Sequence, residues 1–348
     1  MVRERSRREQ WSALMVTELV EASLWVRTTN LIIFEMPKYI TEEYLKQKFI
    51  KTEVIEHENN VINSIQKPVI SVITIAYQHA EYIEDCINGV LMQNLNCEWE
   101  YLIADDESTD GTREICIRYA KKYPDRIRLF LHSQENQRKV LNKPSGIFPI
   151  TYNTLKTRGK YVAGCSGDDV WTDPLKLQKQ LELMTSDNEI SLCYQSWYKV
   201  LHNEDGSVIN DKVDTSYHLA STTLFKNINN ILPIQLLNVI QEDEFMSFIL
   251  RRIGKFRLTE NLTPVVKNSL PDSVLRTLNL ETKRLHVANL HENIFVAYYN
   301  TKYFIPAFKQ ILIFYVLLLI KSNYITIFQD LKFVTKSFYK IIHQIISK

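Results

Sequence analysis

The chain has 348 residues, 45% of them hydrophobic and 24% charged, with a formal net charge of +2. This is the composition of an ordinary globular protein with ample material for a core, and the length allows two or three domains or one catalytic domain with large additions. So slight a net charge gives no mandate for nucleic acid as a partner.

Taken from its start, MVRERSRREQ is basic, but the following SALMVTELVEASLW carries Glu18 and Glu21 and no small-residue cleavage site, so a signal peptide is not expected. VTELVEASLW has helical spacing, and TEEYLKQKFI after Pro37 reads as a short capped helix. Residues 1–67 are therefore expected to form a mostly helical extension. Pro68 opens a strand, VISVITIA. AEYIEDCINGVLMQN then places Ile83, Ile87, Val90 and Leu91 on one helical stripe. A second strand runs from Glu98 to Ala104, a turn-rich DDESTDGT follows, and Thr112 to Tyr123 forms a helix stopped before Pro124. RIRLFLH, residues 126–132, is a third strand. Strand and helix alternate, which is the pattern of an α/β unit with a parallel sheet.

Beyond an irregular stretch, PSG at 144–146 marks a turn, and TYNTLKTR reads as a helix ending at Gly159. A short strand, Tyr161 to Ala163, leads into Gly164-Cys165-Ser166-Gly167-Asp168-Asp169. A helix from about Pro174 to Met184 and a strand from Ile190 to Val200 follow. A further helix is expected around Leu232 to Ile240, another from Glu242, and a helical pattern over residues 275–348. Five cysteines, an odd number without CxxC spacing, are expected to be buried thiols in a reducing compartment.

Ligand sites in parallel sheets lie beyond the carboxyl ends of the strands. Here those ends carry Tyr77-Gln78, Asp105-Asp106 and Asp168-Asp169, and a parallel sheet brings both acid pairs to one edge. Clustered carboxylates there can accept hydrogen bonds from a base or ribose, or hold Mg2+ or Mn2+ that neutralises a diphosphate. The same acids could instead cap the next helix or make local turns. The sequence has no GxGxxG after its first strand, no GxxxxGK[ST], no HExxH and no GxSxG, which removes the main support for nicotinamide, P-loop, zinc-protease and serine-hydrolase readings.

PVISVITIAYQHAEYIEDCINGVLMQ, ADDESTDGT and GKYVAGCSGDDVWTDPLKLQKQLELM together resemble the family 2 glycosyltransferases of the GT-A fold, in particular bacterial enzymes that build capsule, lipopolysaccharide or other surface glycans. The resemblance implies an α/β fold with a mostly parallel central sheet flanked by helices over residues 68–270, between a helical extension 1–67 and a helical, basic extension 271–348. It places Tyr77 near the nucleotide base and Asp106, with Asp105, on the base or ribose. Gly167 and Asp169 belong to the acidic nucleotide motif, and Asp168 becomes the Mn2+ or Mg2+ ligand. QEDEF supplies the base that deprotonates the acceptor, Asp243, with Glu242 as the alternate. The implied reaction is inverting transfer from a nucleotide-diphospho-sugar, by default a UDP-sugar, to a glycan or lipid-linked glycan. A nucleotidyltransferase and an inactive sugar-binding or assembly protein are the alternatives. Three departures stand out: Gln78 where Asn is common, Ser166 where Asp or Glu is usual, and GKFRLTENLTPVVK without the Tyr-Arg pair often found there. The absence of QxxRW argues for addition of one or a few sugars.

Residues 301–348 hold seven lysines and one acid, Asp330, in an Ile-, Phe- and Tyr-rich background. ILIFYVLLLI, residues 311–320, is too short to span a bilayer, but LKFVTKSFYKIIHQIISK could lie on an anionic membrane as a basic amphipathic helix. A cytoplasmic protein, peripheral on the inner face of the membrane if that helix binds, is the resulting expectation.

Overall fold

The computed structural model describes residues 38–140, 143–202, 207–210, 214, 220–270 and 280–298. The expected helix at VTELVEASLW and the basic segment 301–348 lie outside the described residues, so the membrane expectation does too. Among the described residues no helix is long and apolar enough to cross a membrane.

Helix α1 (Glu42–Lys48) starts as its sequence demands: the Thr41 hydroxyl accepts from the Tyr44 amide at 3.0 Å, with acids in the first turn and lysines in the last. Leu45 is buried in a cluster with Leu232, Leu236 and Phe245. Residues 49–67, the described chain that follows, are not helical throughout. They contribute a two-residue strand, β1 (Ile55–Glu56), and a single turn of helix, α2 (Val61–Ser64).

The central sheet begins with β2 (Ile70–Ala76), which leads through α3 (Ile83–Leu91) to β3 (Trp99–Asp105), and through α4 (Thr112–Lys122) to β4 (Ile127–Leu131). The stripe read from sequence seats α3: Ile83, Ile87 and Val90 are fully buried, with Leu91 at the margin. They pack with Val72, Tyr101, Ile103 and Leu129 from one sheet face, together with Cys116 and Ala120 of α4. Two short strands follow, β5 (Arg138–Val140) and β6 (Lys143–Ser145), paired with each other, then α5 (Ile147–Leu155). Phe148 of α5 covers the opposite face at Leu102 and Phe130.

Strand β7 (Tyr161–Gly164) lies parallel to β2, so β4, β3, β2 and β7 form a parallel block whose ends are in register: Ala76 stands beside Asp105, and Asp105 beside Leu131. After β8 (Asp169–Val170) and α6 (Lys176–Ser186) comes β9 (Ile190–Tyr194). The expected single strand from Ile190 to Val200 is in fact two. At Gln195 the amide donates to the Thr222 carbonyl and the side chain to the Thr263 carbonyl, which turns the chain into β10 (Trp197–His202) of a second sheet. That sheet runs β11 (Val208–Asn210), β10, β14 (Val265–Ser269), β8. The central sheet is completed by β12 (Thr223–Lys226), which runs antiparallel to both β7 and β9, and by β13 (Lys255–Leu258) on its far edge. Its order is β1-β4-β3-β2-β7-β12-β9-β13, a mixed sheet. The parallel character expected from the sequence holds for the block β4-β3-β2-β7; β1 on the outer edge is antiparallel to β4, and β12 is antiparallel because it starts beside Tyr194, where β9 ends.

Around 232–240 the chain forms only a 3-10 segment, Ile234–Asn238, whereas α7 (Glu242–Ile253) begins where its acidic first turn predicts. Helix α8 (Leu280–Tyr298) packs on the same side, with Leu290 and Ile294 in the cluster of Phe245 and Phe248.

Candidate active site

Because β2, β3 and β7 are parallel neighbours, the loops that leave them meet at one edge. The loop after β2 carries Tyr77, whose side chain is 47% exposed. Gln78 adopts φ 57°, the left-handed region that Asn tolerates better than Gln does. Its side chain compensates by exchanging hydrogen bonds with Thr109, while the His79 and Ala80 amides donate to Thr112 and Asp110. The first two loops are thus laced together.

Within the first acid pair the two members differ. Asp105 is 0% exposed; its Oδ2 accepts from Arg113 Nε at 2.5 Å and from the Ser108 amide at 3.3 Å. Asp106 is 3% exposed, and among the described residues its Oδ1 meets no hydrogen-bond partner. Burial, with Asp105 alongside, pushes the Asp106 carboxyl up to about 6, although hydrogen bonding from Gln134 opposes the shift.

The acidic turn after β7 runs on along β2: the Cys165 and Gly167 amides donate to the carbonyls of Ile73 and Ile75. Gly167 is required here, because a Cβ would lie 2.7 Å from His79 Nδ1 and 3.0 Å from the Ile75 carbonyl oxygen. Asp168 is half-buried at the turn. Its carbonyl accepts from Asn268 Nδ2 at 2.5 Å. Asp169 is 0% exposed, accepts from the Ser221 hydroxyl at 2.5 Å, and sits 3.5 Å from Lys267 Nζ. Burial raises the Asp169 carboxyl to about 6, and Lys267 works against that shift. Ser166, half-buried, accepts at its carbonyl from the Asp169 amide and the Cys86 thiol.

Helix α7 delivers Glu242 and Asp243 to the rim of a cavity of about 160 Å3 that also touches Gly164, Ser166, Ala220 and Ile75. Its lining is mostly apolar, and both carboxyls titrate high. Burial and the neighbouring Asp243 carry Glu242 up to about 8; burial raises Asp243, with Glu244 adding to it and Lys267 opposing. A carboxylate with a raised pKa beside a shielded cavity can take a proton from a hydroxyl.

The donor set allows a divalent ion only in a sparse form. Among the described residues no three His, Cys, Asp or Glu side chains converge as a ligand cluster, and Asp169 is committed to Ser221 and Lys267. One carboxylate, Asp168, with phosphate oxygens of a bound donor, fits the way Mg2+ and Mn2+ are usually held against substrate phosphates. Lys267, Asn268 and Ser221 are not among the residues that the sequence singles out. Lys267 closes the very segment, GKFRLTENLTPVVK, that stands out in the sequence only for a missing Tyr-Arg pair.

Residues 71–235 match the family model described as Glycosyl transferase family 2. Over 138 residues the chain is 37% identical to the uncharacterized protein Rv1520 of Mycobacterium tuberculosis, covering 39% of this chain and 37% of that one. It is 34% identical over 161 residues to TuaG of Bacillus subtilis, assigned to teichuronic acid biosynthesis as a glycosyltransferase, covering 46% of this chain and 58% of TuaG. The chain therefore spans less than two thirds of the length of these relatives. Among solved structures, Staphylococcus aureus TarS 1–349 in complex with UDP-GlcNAc has a TM-score of 0.51 and 15% identity, covering 74% of this chain and 77% of that one. At that identity the likeness is one of fold: a GT-A-like mixed sheet flanked by helices.

Proposed function

We propose that this chain, whose residues 71–235 match the family model described as Glycosyl transferase family 2, transfers a sugar from a nucleotide-diphospho-sugar to a glycan hydroxyl with inversion at the anomeric carbon. The observation that carries the reading is Asp243, with its raised pKa, on the rim of the cavity that the acidic turn also borders. The acceptor oxygen forms its bond to the anomeric carbon while its proton passes to Asp243. The bond from that carbon to the diphosphate breaks, and its electron pair leaves on the phosphate oxygen. A single displacement of this kind inverts the centre. Glu242, protonated up to about pH 8, is the poorer base at neutral pH.

Tyr77, exposed at the end of β2, and Asp106, with its unpartnered oxygen, serve the nucleoside. Asp105 and Asp169 act from inside the fold, through Arg113 and Lys267. Gly167 lets the turn pass close to β2. Asp168 would hold Mn2+ or Mg2+, which, when bound, supplies positive charge to the leaving diphosphate. UDP-sugars come first as donors because the fold neighbour TarS was solved with UDP-GlcNAc. A glycan or lipid-linked glycan of surface polysaccharide synthesis is the acceptor class.

Nucleotide release from UDP-, GDP- and dTDP-sugars, with and without Mn2+, tests this. Turnover is expected with one donor, falling at least about 100-fold in Asp243→Asn, while nucleotide binding persists. Nucleotide binding without turnover of any donor, in the presence of glycan acceptors, would overturn the catalytic reading.

A further inference from the structure

The acidic turn is gripped from outside the segment that matches the family. Strand β14 runs antiparallel to β8, with Lys267 directly across from Asp169. Opposed residues of an antiparallel pair project to the same side, and consecutive residues to opposite sides. Lys267 therefore delivers its ammonium to the Asp169 carboxylate, 3.5 Å away. Asn268, the next residue, donates instead to the main-chain carbonyl of Asp168 at 2.5 Å. Two adjacent residues of one strand hold two adjacent residues of the turn, one through its side chain and the other through its backbone. Asp168 and Asp243 are within electrostatic reach of the same ammonium. Lys267 is thus shared between the acidic turn and the rim of the cavity where the base resides.

We propose that Lys267 and Asn268 are positioning residues of the transferase site. Asn268 sets the course of the chain at Asp168, and Lys267 draws Asp169 into the fold and balances the acids that converge from the turn and from α7. The strand that carries them lies well beyond the matched segment: it follows α7 and β13 in sequence and pairs with β8 at the edge of the second sheet. This inference rests on the glycosyltransferase reading for its catalytic consequence but not for its geometry.

The test uses the full chain. In Lys267→Met, kcat is expected to fall about 100-fold, the scale of an ångström of misplacement, with the donor KM changed less than about threefold. Lys267→Arg, which keeps the charge, recovers part of kcat. Asn268→Ala, which leaves no buried charge unpaired, lowers kcat about tenfold and serves if Lys267→Met fails to fold. A melting cycle on Lys267→Met, Asp169→Asn and the double variant reads the grip without activity. The double variant is expected to melt above Lys267→Met, because the neutral amide introduced by Asp169→Asn needs no counter-charge. Wild-type chain without transfer but with that melting coupling removes the glycosyltransferase reading and leaves the grip. Additive melting shifts, or wild-type kcat in both Lys267→Met and Asn268→Ala, overturn the proposal.

Discussion

A group that takes a proton from a hydroxyl must be ionised at the working pH and yet hold the proton once it has it, and burial moves Asp243 in that direction. Because the base works deprotonated, the rate should rise with pH through its raised pKa, so the acid limb of kcat is expected above the ordinary aspartate range; a limb at about pH 4 would argue against Asp243 as the base. Glu242 has a separate consequence for stability. Its carboxyl titrates at 4.5 when unperturbed and at about 8 in the fold, so the folded state holds the extra proton between those values. Stability contributed by the protonated form is present at low pH and is lost as pH rises through that window. In melting curves, Glu242→Gln should gain on the parent as pH climbs from about 4.5 to about 8, with a flat difference below. Residue type alone could not separate Asp105 from Asp106, or Asp168 from Asp169. Which member of each pair is tied to a basic side chain is decided by Arg113, a few positions along from Asp105, and by Lys267, far down the chain from Asp169.

At the level of elements, the close pass of the acidic turn over the end of β2 depends on Gly167. Gly167→Ala is expected to cost about 1–3 kcal/mol in denaturant unfolding, because the new methyl group meets main-chain atoms of Ile75 and Ala76 as well as the more yielding His79 ring. Unchanged stability would mean that the turn is looser than its hydrogen bonds to β2 suggest. The elements of the first half were legible because each is governed by a local rule: apolar runs for β2 and β3, the helical stripe of Ile83, Ile87 and Val90 for α3, and the Thr41 cap for α1. The second half obeys contacts distant in sequence. The alternating stretch from Ile190 to Val200 shows no interruption strong enough to announce that Gln195 leaves one sheet for another, since that turn is made by the carbonyls of Thr222 and Thr263. The antiparallel entry of β12 follows from the same detour. Lys267 is one lysine in a short strand, with no spacing motif to mark it.

For the whole molecule, the cysteines report how evenly the core is closed. Cys86, Cys116, Cys165 and Cys193 are buried, and burial pushes the Cys193 thiol up to about 12; Cys97 alone is half-buried. A thiol reagent at about pH 8 should therefore modify one group in the native protein and all five after unfolding. Two or more fast-reacting thiols would show that the packing around the buried cysteines opens readily. The segment before β2 closes the molecule in another way. β1 pairs with Phe130 and Leu131, the His57 amide donates to the Leu129 carbonyl, and Val54 is buried beside Phe130. The family match begins at residue 71, which makes the stretch ahead of it a tempting one to trim. Trimming to Pro68 would bare the outer hydrogen-bonding edge of β4, and an uncovered strand edge recruits a second one. The shortened protein is expected to elute as larger species than the untrimmed chain at equal concentration, and identical elution of the two would show that the β4 edge needs no cover.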